Sequence, residues 1–154
     1  ALDRINAVAA VHRRLEVGED PAHFEASGLI RDVAEEIAGA AKRPDVRLEL
    51  ALAPVIIPSR QAGPLALIAG ELMRNAMKHA FADRPGVVLV SFGSGDGEVE
   101  LSVCDDGAGL GATGSPHGFG ATLCGLLAQQ LRGALEFSDA QPGVRAIVRF
   151  PETH

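Results

Sequence analysis

Glu71, Asn75 and His79 follow one another at i, i+4 and i+8 in GELMRNAMKHAF, with Lys78 one position from that row. On a helix these side chains project from one face. Leu65, Ile68, Leu72 and Ala76 line the opposite face, which is apolar enough to pack on a sheet. A neutral amide flanked by a carboxylate and a cation can hold Mg²⁺ that is bound mainly by phosphates, since Mg²⁺ keeps its waters and takes few protein ligands. The carboxylate can orient or deprotonate an attacking group, or fix a metal-bound water. For this stretch alone, a solvated helix face with incidental charges is the competing reading.

A second stretch, LSVCDDGAGLG, places Asp105 at the end of an expected strand. Gly107 and Gly109 allow a tight turn and close approach of the backbone to a flat ligand. A buried carboxylate there can accept a hydrogen bond from an exocyclic amine such as that of adenine. Guanine presents an oxygen at that position and would leave buried groups unpaired. The alternative is a local Asx-type turn, for which DDG is ordinary composition. In the third stretch, HGFGATLCGLLAQQL, Gly118 and Gly120 flank Phe119 where a loop enters a helix. Free N–H groups there form an anion site suited to a triphosphate, and Thr122 can add a hydroxyl. Leu123, Leu126, Leu127 and Leu131 read as the core stripe of that helix.

These stretches need elements to position them. Leu2, Ile5, Val8, Ala9, His12 and Leu15 recur as on one helix face, ending near Val17-Gly18. Ser27 reads as the N-cap of a second helix that buries Leu29, Ile30, Val33, Ile37 and Ala41 and closes at Pro44. Val46, Leu48, Leu50 and Leu52 alternate as a strand stopped by Pro54, and Pro64 opens a long helix through Ala80. Strands over Val87–Phe92 and Val99–Cys104 flank GSGDG, residues 105–118 are loop, and a helix runs from Phe119 to about Arg132. A closing hairpin pairs Ala134–Phe137 with Val144–Phe150 around DAQPG. This order predicts a two-layer α/β sandwich, with a mixed, mostly antiparallel sheet and its helices on one face.

ELMRNAMKHAF, then DDGAGL, then GFGATL, in that order and spacing, resembles the N, G1 and G2 boxes of the GHKL ATPases, the superfamily of gyrase, Hsp90, histidine kinases and MutL. The resemblance covers residues 28–150. NAMKHAF, the very short lid and GFG look most like the sensor histidine kinases of the HWE and related subfamily. The resemblance implies a Bergerat-type ATP-binding catalytic domain over 28–150 that uses ATP and Mg²⁺. Such a domain transfers the γ-phosphoryl to a His, for relay to a cognate response regulator. By the same resemblance Asn75 would ligate Mg²⁺, Glu71 would assist transfer, and Lys78 or His79 would contact phosphate. Asp105 would bind the adenine amine, Gly107 and Gly109 would shape the pocket, Gly118, Phe119, Gly120 and Thr122 would meet the nucleotide, and Leu110–His117 would be the lid.

RINAVAAVHRRL also looks like the second helix of that subfamily's dimerisation and phosphoacceptor hairpin. Residues 1–20 are then a hairpin remnant, the full-length protein a homodimer, and the acceptor His lies outside this sequence. His12 shares the apolar row and reads as packing. The chain starts without Met, as a piece of something longer does.

Bulk composition narrows the classes. The 154 residues fit one domain plus a short element, and 47% hydrophobic with 22% charged residues is ordinary for a globular chain. A formal net charge of -6 argues against a nucleic-acid surface. No apolar run is long enough to cross a bilayer. Cys104 and Cys124 have no metal-type spacing, so the expectation is buried free thiols in a reducing, cytoplasmic compartment. Gly109–Gly114 matches GxGxxG, but Ser115-Pro116-His117 follows where that fingerprint needs a helix, and no P-loop is present. The remaining alternatives are an anti-sigma-factor-type serine kinase, which lacks an N-terminal hairpin, and a degenerate phosphotransferase or binding module that has lost ATP.

Overall fold

Alternate residues of the longer strands are apolar, and in the computed structural model those residues share one face of a sheet. The structure describes residues 22–41, 44–79, 85–106, 119–139 and 143–153. Strand β1 (His23–Glu25) leads into helix α1 (Ala26–Ala41), strand β2 (Val46–Leu52) and strand β3 (Ile56–Pro58). A 3-10 turn, Ser59–Gln61, then joins helix α2 (Ala62–His79). Strands β4 (Gly86–Gly95) and β5 (Glu98–Asp105), helix α3 (Phe119–Gln130) and strands β6 (Ala134–Asp139) and β7 (Val144–Pro151) follow.

The main sheet has the order β2-β4-β5-β7-β6. Only β2 and β4 pair in parallel; the other neighbours are antiparallel. A parallel pair requires a crossover, and α2 supplies it. Residues directly opposite on adjacent strands share a face, so the register defines apolar rows across the sheet. Leu52, Phe92, Leu101, Val148 and Leu135 form one row, and Leu50, Val90, Val103, Ala146 and Phe137 the next. Helix α1 packs on β2, α2 on β4 and β5, and α3 on β6 and β7, while α2 also contacts both other helices. This is the mixed, mostly antiparallel α/β sandwich that the element order predicts. The helix expected over Leu2–Leu15 lies outside the described residues.

The other face of the sheet is largely polar, although Leu89 and Ile147 also lie on it. Glu100 accepts from Arg149 Nε at 2.9 Å and lies 3.9 Å from Arg145, and Arg149 also approaches Glu136 at 3.6 Å. These half-exposed pairs set cross-strand register more than stability. A shallow cavity of 490 Å³ opens on this face beside Ser91, Gly93, Gly95, Glu100 and Arg149.

Several boundaries differ from the sequence expectation, each for a local reason. GSGDG is not all loop: β4 and β5 continue to Gly95 and Glu98, and Asp96-Gly97 alone turn the chain, with φ of 55° and 80°. Asp-Gly with both φ positive matches the twist of the flanking strands. Helix α2 starts at Ala62, so Pro64 sits inside the first turn, where its missing N–H has no intrahelical partner to lose. The small antiparallel pair β1–β3 was not expected. Ser27 is not the N-cap of α1 either. Glu25 precedes the helix, and its carboxylate accepts from the N–H groups of Ser27 at 2.9 Å and Gly28 at 3.1 Å. The Ser27 hydroxyl and the Val55 N–H donate to the same carboxylate.

Partial burial pushes the Glu25 carboxyl up, but the Ser27 hydroxyl and the N–H groups of Ser27, Gly28 and Val55 together hold it below its ordinary value. Glu25→Ala should therefore cost about 1–2 kcal/mol at neutral pH, as for a lost helix cap. A group whose pKa is lowered by folding contributes fully above its unfolded pKa, and the contribution fades as pH falls through the folded one. In urea titrations the gap between wild type and Glu25→Ala should narrow in acid. A gap that stays constant with pH would remove the carboxylate from this role.

Candidate functional site

Helix α2 is buried almost all round. Ala62, Leu65, Ala66, Ile68, Ala69, Leu72, Met73, Ala76 and Met77 all lie in the core, between α1, α3 and the sheet. Among the described residues of the helix, Gly63, Pro64, Leu67, Arg74 and Asn75 are half-buried and mark a strip left partly open. Asn75 thus carries its carboxamide on the half-buried strip of a largely enclosed helix.

Glu71 does not sit on a solvated face, as the competing reading of its row would have it. It is only 6% exposed, and its Oε1 accepts from Arg74 Nη2 at 2.5 Å, one turn on. A buried carboxylate needs such a partner to remain charged. The guanidinium folds back over the helix: a Cβ at Gly70 would meet Arg74 Nη1 at 3.3 Å and Val33 at 3.7 Å. Arg74 was missed in the sequence, although an acid and a base three residues apart on a helix are neighbours. Lys78 and His79 fall in the last turn of α2; their side chains lie outside the described residues.

Asp105 ends β5 on the inner face of the sheet. In register it continues the row of Leu48 and Val88, at a position where the strand pattern otherwise places an apolar residue. It is 6% exposed, and its Oδ1 accepts from the Val144 N–H at 3.2 Å. Gly143 presses against it, buried and at φ 96°. Asp106 faces the other way, and its Oδ1 accepts from the Val87 N–H at 3.0 Å, tying the end of β5 to the start of β4. These bonds reach across strands, so they are not those of the local Asx turn that DDG also suggests. Gly107, Gly109, Gly118 and the expected lid Leu110–His117 lie outside the described residues.

Helix α3 begins at Phe119-Gly120, with Thr122 exposed in its first turn. The first N–H groups of a helix have no intrahelical acceptor. Cys124, Leu127, Ala128 and Leu131 carry its core contacts. Leu126 does not belong to that stripe, being 56% exposed; the helix is apolar over more than the face it buries. Cys104 is half-buried rather than buried, and both cysteines are free thiols. Burial and the charges of Asp105 and Asp106 push the Cys104 thiol up against the opposing effect of Arg145, which makes it a poor nucleophile. Among the described residues no three of His, Cys, Asp and Glu gather as a metal cage.

The described parts of the three stretches lie on elements that touch one another. Helix α2, bearing Glu71 and Asn75, packs on β5, which ends in Asp105, and on α3, which starts at Phe119.

Comparisons with known proteins bear on the family and the fold. A family model described as a histidine kinase-like ATPase domain matches residues 20–122. The nitrate/nitrite sensor protein NarX of Escherichia coli K12 is 35% identical over 105 residues, covering 67% of this chain and 17% of NarX. The chain thus spans about a sixth of that relative's length. The histidine kinase domain of the Erythrobacter litoralis EL346 blue-light activated histidine kinase superposes with a TM-score of 0.90 at 22% identity, covering 98% of this chain and 74% of that one. The mycobacterial sensor histidine kinase MprB gives 0.67 at 21% identity, over 84% and 96% of the two chains. At such identities these two likenesses concern the fold. Among the described residues no helix is long and apolar enough to cross a membrane.

The buried ion pair makes its own test. Arg74→Met takes the guanidinium from a buried carboxylate and should cost about 1.5–3 kcal/mol of stability. Adding Glu71→Gln should recover part of that loss, because the charge that needed the guanidinium is gone. A double variant as unstable as the sum of the two singles, by chemical denaturation, would contradict the coupling.

Proposed function

The chain belongs to the histidine kinase-like ATPase domain family, and we propose that it is the ATP-binding catalytic domain of a two-component sensor histidine kinase. Residues 28–150 form that domain in this reading. Residues 1–20 belong to a dimerisation hairpin, through which the full-length protein is a homodimer, and the acceptor His and the response regulator lie outside the sequence.

The observation that carries the reading is Asp105, a carboxylate on an apolar row of the sheet, beside the helix that bears Glu71 and Asn75. Its chemistry suits adenine: the carboxylate accepts from the exocyclic amine, whereas the oxygen of guanine would meet it as a second acceptor. Asn75 fits a Mg²⁺ ion held mainly by the phosphates, since it offers a neutral oxygen at the open strip of α2. Mg²⁺ bound there would neutralise charge on the phosphates. The N-terminal turn of α3, with Phe119, Gly120 and Thr122, gives N–H groups and a hydroxyl to the triphosphate. Lys78 or His79 adds a positive or hydrogen-bonding contact from the end of α2, and Gly107, Gly109 and Gly118 leave room for the nucleotide.

In the transfer itself a nitrogen of the acceptor imidazole forms the new N–P bond as the bond from the γ-phosphorus to the bridging oxygen breaks. The electron pair of that bond leaves with ADP. Glu71 orients the imidazole and accepts its N–H proton, while Arg74, bonded to the same carboxylate, holds that side chain in place.

Calorimetric titration of the folded chain tests this. ATP should bind more tightly than GTP by about 2–4 kcal/mol, the loss expected when a buried carboxylate and amine are left unpaired. Asn75→Ala should leave thermal stability without nucleotide unchanged and abolish the gain in ATP affinity on adding Mg²⁺. Equal binding of ATP and GTP would refute the role of Asp105, and an undiminished Mg²⁺ effect in Asn75→Ala that of Asn75.

A further inference from the structure

The β5–β7 ladder ends at Cys104 opposite Arg145. The next N–H along β7, that of Val144, goes instead to the side chain of Asp105, with N to Oδ1 at 3.2 Å. This bond requires the chain just before Val144 to pass very close to Asp105. A Cβ on Gly143 would stand 1.8 Å from the Asp105 carbonyl oxygen, 2.6 Å from its carbonyl carbon and 2.8 Å from Oδ1. Neither the carbonyl oxygen nor the carbonyl carbon can swing away as a flexible side chain could. Gly143 also sits at φ 96°, where an L side chain is strained. Space and backbone conformation thus both demand glycine, and the closeness they permit brings the Val144 N–H onto Asp105.

We propose that Gly143 and the Val144 N–H are the positioning residues for nucleobase selection: together they fix one oxygen of the Asp105 carboxylate and so set the direction in which it receives an exocyclic amine. The proposal rests on reading Asp105 as the base-recognising residue. It assigns part of the specificity to the start of β7, about forty residues along the chain from the carboxylate it orients. Selection between an amine and an oxygen needs a carboxylate of fixed orientation, because one free to rotate can turn toward solvent or another donor and loses the penalty for the wrong base. The amide of Val144 is rigid backbone, and that makes it a firmer brace than a side chain.

The test compares ATP with inosine triphosphate, which carries an oxygen where adenine carries the amine, by calorimetry on the full chain. Wild type should prefer ATP at least tenfold. Gly143→Ala should bring that ratio close to one, by weakening ATP while changing the inosine nucleotide little. General damage to the fold would weaken both nucleotides together and leave the ratio in place. A second variant replaces the Gly143–Val144 amide by an ester, which removes the N–H and adds no bulk; it should also lower the ratio, and it alone decides if Gly143→Ala gives no cooperative melt. A wild-type ratio preserved in the folded ester variant overturns the proposal while leaving Asp105 as the recognising residue. Wild type that fails to prefer ATP overturns the reading of Asp105 itself, and the brace with it.

Discussion

A carboxylate set into the apolar face of a sheet is costly unless hydrogen-bonded, and the arrangement around Asp105 follows from that constraint. Its register position continues the row of Leu48 and Val88, so an apolar side chain there would simply have extended the core. Two features hold the acid in place. Asp106 ties the end of β5 to β4 through the Val87 N–H, and Val144 donates to Asp105 from the opposite side. The terminus of β5 is therefore gripped by both neighbouring strands, although the backbone ladder to β7 has already stopped. Helix α2, anchored by its contacts with α1, α3 and the sheet, carries Glu71 and Asn75 on an element that packs on β5.

Glu71 obeys the same rule with a different partner. Glu71 is as buried as Asp105, and its carboxylate is partnered by a guanidinium where that of Asp105 accepts from a backbone amide. The contrast fits two tasks. A fixed amide suits the proposed role of Asp105 in holding one direction toward a ligand, and a guanidinium partner suits the proposed role of Glu71 beside the acceptor. The polar outer face of the sheet, by comparison, spends its charges on pairs between neighbouring strands around Glu100 and Arg149.

Periodic features were legible in the sequence. The alternation in Val88, Val90 and Phe92 and the three-and-four spacing in α2 are repeated along an element, so each residue confirms its neighbours. Asp105 and Asn75 were singled out as candidates by position, Asp105 at the end of an expected strand and Asn75 on the polar row of an expected helix. Features resting on a single contact were not. Strands β1 and β3 are three residues each, too short to show alternation, and pair only once the chain has folded. Glu25 took the cap from Ser27 because a longer acid outside the helix can reach the same N–H groups, a choice that residue preferences rank low. The DAQPG segment announced a turn, but nothing local in it points to Asp105. Leu126 shows the opposite failure: a leucine in an apolar stretch reads as core, and only packing shows which face is covered.

The most direct measurement is the set of backbone amide chemical shifts in the ¹⁵N-labelled chain as Mg²⁺ and a non-hydrolysable ATP analogue are added. The account predicts saturable shifts concentrated at Asn75, Asp105, Thr122, Gly143 and Val144, with the outer face undisturbed. Shifts gathered instead around Ser91, Gly93 and Arg149, in the cavity on the outer face, would place the nucleotide on the wrong side of the sheet and contradict it.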